Sequence, residues 1–195
     1  MELDFNIFKI EYNKVLPKKG RVLVSEPFLQ DTYFKRSLVL LTEHSPDGAV
    51  GFVLNKPLDV KVNEVMNDFP FSNATVSIGG PVSTNTVHYL HNLGDIIPNS
   101  VHILDNIYWG GDFEFVKHLV KTGKIKSEQI RFFLGYSGWQ AGQLEKELEQ
   151  NSWLVTEIEP GKIMNPNNNL WKNTLSQLGE KYKIWANFPE NPNQN

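Results

Sequence analysis

The most suggestive chemical motif is the segment Gly135–Trp139, in which a serine stands between glycines after an apolar run. At a strand-to-helix junction this pattern resembles the nucleophile elbow of α/β-hydrolases, Gly-x-Ser-x-Gly. The fifth position here is Trp139, whereas the strained elbow turn needs a small residue there. We therefore expect Ser137 to cap the N-terminus of a helix, with Gln140 completing a capping box. A small hydrolase built on Ser137 or His44 stays an alternative.

A second polar group surrounds an apolar run at 38–42, with Arg36 before it and Glu43 and His44 after it. Such side chains could form an acid–base pair or a polar binding cluster. Adjacent residues of an extended chain point to opposite sides, so Glu43 and His44 would not act directly together. We favour a role in organising the following turn, and we keep all three as candidate binding residues.

His88 and His91 are three positions apart and could be considered as metal ligands. On a strand, residues three apart face opposite sides. The chain also has no cysteine and no His-Glu-x-x-His motif. We expect no metal site and no cofactor.

Two glycine pairs, Gly79-Gly80 and Gly110-Gly111, stand where predicted strands end. Backbone N–H groups at such turns can bind an anion, and the second pair precedes a predicted helix start at Asp112. Neither pair matches G-x-G-x-x-G or the P-loop, so nucleotide binding is not indicated. We expect the pairs mainly to permit tight turns, and we keep Gly79 and Gly80 as candidate binding residues.

A basic stretch occupies positions 117–131 and is interrupted only by Glu128. Its members are Lys117, His118, Lys121, Lys124, Lys126 and Arg131. These side chains could contact nucleic-acid phosphates. The whole chain, however, has a net charge of -3, which gives no long-range attraction, and no aromatic residue is interleaved for base stacking. Nucleic-acid binding is an alternative that the sequence does not favour.

Composition restricts the class of protein. The chain has 195 residues, 40 % of them hydrophobic and 21 % charged, which is typical of one globular domain. Because cysteine is absent, disulfides and thiolate sites are excluded. The first five residues include two acids and do not resemble a secretory signal, and no apolar run approaches the ~18 residues of a membrane span. We expect a cytoplasmic protein.

Apolar periodicity and turn residues predict an α+β fold: a mixed, largely antiparallel sheet with helices packed on it. Residues 37–55 are predicted to form a hairpin around Ser45-Pro46-Asp47-Gly48, with both strands buried on both faces. Further strands are predicted at 22–24, 75–78, 86–90, 101–104, 130–136 and 152–158, and helices at 60–69, at 113–122, from 137 onward and at 170–178.

Several ordered segments together resemble the YqgE/AlgH family of small bacterial proteins. They are Gly20–Val24, Phe34–Leu41, Glu43-His44, Gly51–Pro57, Gly79–Val82, Gly110–Asp112, Gly135–Trp139 and Gly142–Glu145. The resemblance covers about residues 20–155, with a looser echo at Leu170-Trp171. It implies a mixed α/β sandwich with a flattened, partly barrel-like sheet. One branch of the family is named for a proposed role in regulating alginate production, which implies a transcriptional regulator but no mechanism. Many relatives carry alanine at Ser137, which argues against a nucleophile.

These observations predict an N-terminal extension over residues 1–19, one domain over 20–188 and a frayed tail over 189–195. They favour a non-enzymatic regulatory or interaction protein that acts through a protein or small-ligand partner, without a membrane. The candidate binding residues are Arg36, Glu43, His44, Asn55, Gly79, Gly80, Trp139 and Gln143.

Overall fold

The structure is a computed structural model and describes residues 13–189. Most of the predicted N-terminal extension and C-terminal tail lies outside these residues. The strands are β1 (Val22–Ser25), β2 (Leu38–Ser45), β3 (Gly48–Val53), β4 (Pro57–Lys61), β5 (Thr75–Ile78), β6 (Val82–His91), β7 (Val101–Leu104), β8 (Ile107–Trp109), β9 (Ile130–Gln140) and β10 (Trp153–Thr156). The helices are α1 (Val62–Val65), α2 (Phe113–Lys121), α3 (Gln143–Glu149), α4 (Pro160–Met164), α5 (Leu170–Gln177) and α6 (Glu180–Ala186).

The predicted hairpin over residues 37–55 is confirmed as β2 and β3. Ser45 pairs with Gly48 across the turn, as expected for proline at the second turn position and glycine at the fourth. Residues 38–42 are buried in β2, and the last three residues of β3 are buried too. An apolar run without alternation is buried on both faces because helices cover both sides of the sheet.

All ten strands join one sheet, whose central strand is β9. The main path runs β10-β1-β2-β3-β9-β6-β8-β7, and β4 with β5 branches from β9. Every pairing is antiparallel except β5 with β9. The prediction of a mixed, largely antiparallel sheet with packed helices is therefore confirmed. The described strands do not close into the partly barrel-like arrangement implied by the family resemblance.

One face of the sheet packs against the three C-terminal helices. Its core contains alternate residues of β1, β2 and β3, together with Ile163 of α4, Trp171 of α5 and Trp185 of α6. The Trp171 indole donates to the Ser25 carbonyl at 2.9 Å, which satisfies its only polar atom in the core. Within residues 13–189, each helix is too short or too polar to span a bilayer.

The other face carries two separate clusters, one beneath α2 and one beneath α3. Leu134 packs in the first and Trp139 in the second, although they are an odd number of positions apart on β9. Regular alternation would place them on opposite faces. Gly135 permits the switch: it has φ +64°, and a Cβ there would lie 2.7 Å from the Val82 carbonyl oxygen and 2.8 Å from that of Gly80.

Several predicted elements are wrong. Ser137 does not cap a helix, because β9 continues to Gln140 and α3 begins only at Gln143. The helix predicted at 60–69 is only the one turn of α1, because Met66 already has an extended backbone, with φ -127° and ψ 100°. Strands β4 and β8 and helices α4 and α6 were not predicted.

The described part of the N-terminal segment covers sheet edges. The Asn13 side chain donates to the Val155 carbonyl at 2.7 Å and accepts from the Val155 N–H at 3.2 Å, so it pairs with β10 as a strand would. Lys19 donates to the His102 carbonyl on β7 at 3.0 Å. Covering unpaired backbone groups in this way protects edge strands from association.

Candidate functional site

Two predicted binding residues, Trp139 and Gln143, belong to one hydrogen-bonded group around Glu147. One Glu147 oxygen accepts from the indole N–H groups of Trp139 at 2.9 Å and Trp153 at 2.8 Å. The other oxygen accepts from the Gln143 amide at 2.9 Å. We call these four residues the α3 latch, because they fasten α3 to β9 and β10. Glu147 was not among the predicted residues, and its spacing of four from Gln143 is the only sequence signal for it.

His44 also contacts α3, where its Nε2 lies 3.0 Å from the Glu145 carboxylate. The His44 side chain is 20 % exposed and Glu145 is 52 % exposed, so this is a surface contact between the β2–β3 hairpin and α3. Glu43 is exposed, and its side chain makes no hydrogen bond or ion pair within residues 13–189. Glu43 and His44 therefore have separate surroundings, as the alternation of side chains along an extended strand predicts.

Arg36 and Asn55 meet at the start of β2. The Asn55 side chain accepts from the Leu38 N–H and donates to the Arg36 carbonyl, each at 2.8 Å. The Arg36 guanidinium lies over the Trp171 ring and donates to the Phe188 carbonyl at 2.6 Å. Arg36 also has φ +49°, so Asn55 holds a strained backbone turn.

The backbone at Gly79 and Gly80 passes very close to the backbone of β9. A Cβ on Gly79 would lie 2.2 Å from the Gly135 carbonyl oxygen, and a Cβ on Gly80 would lie 2.3 Å from Tyr136 backbone atoms. Ser137 is fully buried, and its hydroxyl donates to the Gly79 carbonyl at 3.0 Å. Ser137 therefore ties β9 to the Gly79 turn, with its only proton already donated.

The structure does not bring Arg36 and His44 together. Arg36 precedes β2 and His44 lies near its far end, and the rise of ~3.3 Å per residue already separates Leu38 from His44 by about 20 Å. The predicted residues instead form local groups: Arg36 with Asn55, Gly79 with Gly80, and Trp139 with Gln143, while His44 of β2 contacts α3. Their binding roles stay predictions.

The predicted basic stretch is divided. Lys117 contacts Asp68 at 2.9 Å and Glu114 at 2.7 Å, and hydrogen bonding to both carboxylates raises the pKa of Lys117. Arg131 is buried, with 1 % of its surface exposed. Lys121, Lys124 and Lys126 stay exposed at the end of α2 and in the following loop.

One serine–histidine contact occurs in the interior, between Ser100 and His91. The His91 Nε2 lies 3.0 Å from the Ser100 hydroxyl and 3.1 Å from the Gly110 carbonyl, while Nδ1 accepts from the Leu93 N–H at 3.3 Å. A carbonyl only accepts, so Nε2 carries the hydrogen and cannot take a proton from Ser100. Burial lowers the pKa of His91, which favours this neutral form.

A concave site lies apart from all the predicted binding residues. We call it the β6–α2 pocket, with a volume of about 560 Å³. It is lined by Val65, Met66, Thr84, Asn85, Val87, Tyr89, Phe113 and Leu134. Six of these eight side chains are aliphatic or aromatic, and none carries a formal charge at neutral pH.

The rim of this pocket is a bulge in β6. Val82 pairs with Tyr136 and Val87 with Leu134, so the intervening β6 residues loop outward opposite Gly135. Ser83 has φ +48°, and the Thr86 hydroxyl closes the bulge by donating to the Ser83 carbonyl at 2.7 Å. Bulges re-aim side chains at functional sites, and this one places Thr84 and Asn85 at the pocket.

Comparison with known sequences places the chain in a family. The family model described as AlgH-like, DUF179, matches residues 22–183. A UPF0301 protein of Bacteroides thetaiotaomicron is 44 % identical over 197 residues, covering 100 % of both chains. One of Parabacteroides distasonis is 45 % identical over 190 residues and covers 96 % of both. The chain therefore belongs to the AlgH-like family, as its sequence segments predict.

Solved structures share this fold. The solution structure of the AlgH protein from Pseudomonas aeruginosa superposes with a TM-score of 0.70 at 26 % identity, covering 90 % of this chain and 97 % of that one. A crystal structure of a Corynebacterium diphtheriae protein gives a TM-score of 0.74 at 23 % identity, covering 96 % and 100 %. The second likeness concerns the fold alone.

Proposed function

We propose that this protein is a non-enzymatic regulatory binding protein of the cytoplasm, which recognises an uncharged, largely apolar group of a partner or small ligand in the β6–α2 pocket. The observation that carries the proposal is the pocket's composition: an apolar floor with exposed Thr84 and Asn85 at its rim. Ligand sites are typically concave and apolar, with a few polar groups that set orientation, and their volumes span about 300–1,000 Å³.

The chemistry of Tyr89 supports an uncharged ligand. Its hydroxyl donates to the Gly111 carbonyl at 2.9 Å, so its ring rather than its polar tip is available to the pocket. Burial, with a smaller effect from nearby Asp112, raises the pKa of Tyr89 to about 12. The phenol therefore stays neutral at physiological pH, and the pocket offers an ionic ligand no counter-charge.

A titration with neutral fragments tests this proposal. Indole and cyclohexanol, added separately and followed by NMR, are expected to shift the signals of Val87, Phe113 and Leu134 saturably. Thr84→Phe should fill the pocket and abolish the shifts, because Thr84 is exposed at its rim.

Thr32→Phe is the matched control, since Thr32 is exposed and does not line the pocket. It should leave fragment binding unchanged. Saturable binding that survives Thr84→Phe, or no binding by either fragment, would contradict the proposal.

A nucleic-acid-binding regulator is the second candidate, and the exposed lysines at 121, 124 and 126 are the observation that favours it. Binding to duplex DNA should then weaken steeply with salt, and it should be lost when Lys121 and Lys124 are both replaced by alanine. Lys117 is paired with Asp68 and Arg131 is buried, so less basic surface is available to a nucleic acid. A flat titration at low salt would remove this candidate.

A further inference from the structure

Among the three arginines of the chain, Arg131 alone combines full burial with the lack of a charged partner within residues 13–189. Arg21 lies 3.5 Å from the Glu157 carboxylate, and Arg36 is only partly buried. Arg131 exposes 1 % of its surface, and within residues 13–189 no carboxylate lies within ion-pair distance of it. A buried charge is costly unless an opposite charge offsets the loss of its hydration.

The existing partners of Arg131 are neutral. Nη1 donates to the Ile163 carbonyl at 2.7 Å, and Nη2 donates to the Leu54 carbonyl and, at 2.9 Å, to the Ser77 hydroxyl. The guanidinium also lies 4.9 Å from the Phe133 ring centroid. Nε is buried and has no hydrogen-bond partner. These contacts fix the position of the guanidinium, but they supply no negative charge.

A cavity of about 540 Å³ adjoins Arg131 where the parallel strands β5 and β9 begin. Its polar lining consists of Arg131, Asn73, Thr75, Ser127 and Asn165, with Glu128 as its one acid. Val76 pairs with Phe132 in parallel register, so Thr75 lies beside Arg131 on the same face of the sheet. We call this the Arg131 cavity.

We propose that the Arg131 cavity binds a small anion, either a carboxylate or a phosphate, which supplies the counter-charge that Arg131 lacks. Arginine suits both groups because its planar N–H donors match their oxygens, and the hydroxyl and amide groups of the lining can satisfy the remaining oxygens. This site lies apart from the β6–α2 pocket, with which it shares no lining residue, and the inference does not depend on the proposed function.

The protonation of Arg131 supports an anion. Burial lowers the pKa of Arg131 to about 9, which reflects the loss of hydration without a compensating charge. Glu128 is exposed at the cavity, so water screens its repulsion of a bound anion. Its charge should still weaken binding.

The test observes Arg131 directly, because replacing it would also break its contacts with Leu54 and Ile163. The Nε–H signal of Arg131 is followed by NMR during separate titrations with inorganic phosphate and with acetate, at constant ionic strength set by chloride. A saturable shift is expected with at least one anion. Phosphate alone would indicate a phosphate ligand, and acetate alone a carboxylate. No saturable shift with either would overturn the proposal.

Three variants distinguish an anion site from a purely structural arginine. Thr75→Asp should supply the counter-charge internally and weaken anion binding by about tenfold or more, as expected for loss of a charge-assisted hydrogen bond. Thr75→Asn is its uncharged control of the same size; because it keeps a polar group at this position, it should weaken binding much less than Thr75→Asp. Glu128→Gln should tighten binding by removing repulsion. Anion binding that is unchanged in Thr75→Asp would overturn the assignment to this cavity.

Discussion

The α3 latch and the β6–α2 pocket lie on the same face of the sheet but use their polar side chains in opposite ways. In the latch, Trp139, Gln143 and Trp153 all donate to Glu147. At the pocket, Thr84 and Asn85 are exposed, and their side chains make no hydrogen bond within residues 13–189. Groups that already have internal partners contribute to stability, whereas groups without them are available to a ligand.

This difference teaches that a sequence signature and a binding surface need not coincide. Tryptophan is conspicuous in a sequence because it is enriched at interaction sites. In this molecule the most conspicuous residues, Trp139 and Gln143, hold α3 in place. The pocket is lined largely by aliphatic and aromatic residues that belong to no motif.

The largest expected effect is from Gly79→Ala, because a Cβ at this position would lie 2.2 Å from the Gly135 carbonyl oxygen. We expect the free energy of unfolding to fall by about 3 kcal/mol or more, since backbone cannot move aside as a side chain can. Urea unfolding measures it. Gly161→Ala is the control: a Cβ there meets nothing within 4 Å, and stability should change by no more than about 1 kcal/mol. Equal effects would refute the steric account.

Glu147→Ala tests the latch itself. It leaves the partly buried indole N–H groups of Trp139 and Trp153 without their acceptor, so we expect a loss of about 2 kcal/mol in the free energy of unfolding. Tryptophan emission and urea unfolding report the change. Glu149→Ala, on the exposed side of α3, should stay within about 0.5 kcal/mol of the parent. A neutral Glu147→Ala would show that the latch does not stabilise the protein.

Acid should lower the stability of the protein through His91, which lies on the pocket side of the sheet. Burial holds the pKa of His91 below 6.5. The unfolded chain then binds more protons, so the stability from neutral His91 is present above pH 6.5 and is lost as the pH falls through the folded pKa. Urea midpoints measured downward from neutral pH should fall in the parent and fall less in His91→Gln. His88, whose pKa burial also lowers, accounts for part of the remaining slope. An unchanged slope in His91→Gln would contradict this.

The smallest expected effect is from Asn85→Ala at the pocket rim. Because the Asn85 side chain is exposed and makes no internal hydrogen bond within the described residues, the free energy of unfolding should change by less than about 0.5 kcal/mol. Binding of the neutral fragments should nevertheless weaken. A substantial loss of stability would mean that the rim is structural, like the latch.

Local physics made part of the fold predictable. The β2–β3 hairpin follows from two apolar runs around a Pro-Asp-Gly turn. Helix α2 begins where predicted because Asp112 accepts from the Phe115 N–H at 3.0 Å, and Gly123 follows its end with φ +64°. Family membership could also be predicted from the sequence, since it depends on the order of conspicuous sequence segments.

The sequence alone therefore determined the family, the α+β class, the hairpin and helices α2 and α5, because periodicity, caps and turns act between residues a few positions apart. Only the tertiary structure decided that β9 runs through Ser137, since pairing with β3 extends the strand beyond its local signals. It also decided the partners of Glu147, the isolation of Arg131 and the position of the β6–α2 pocket. Each of these depends on contacts between residues distant in sequence, which local patterns do not encode.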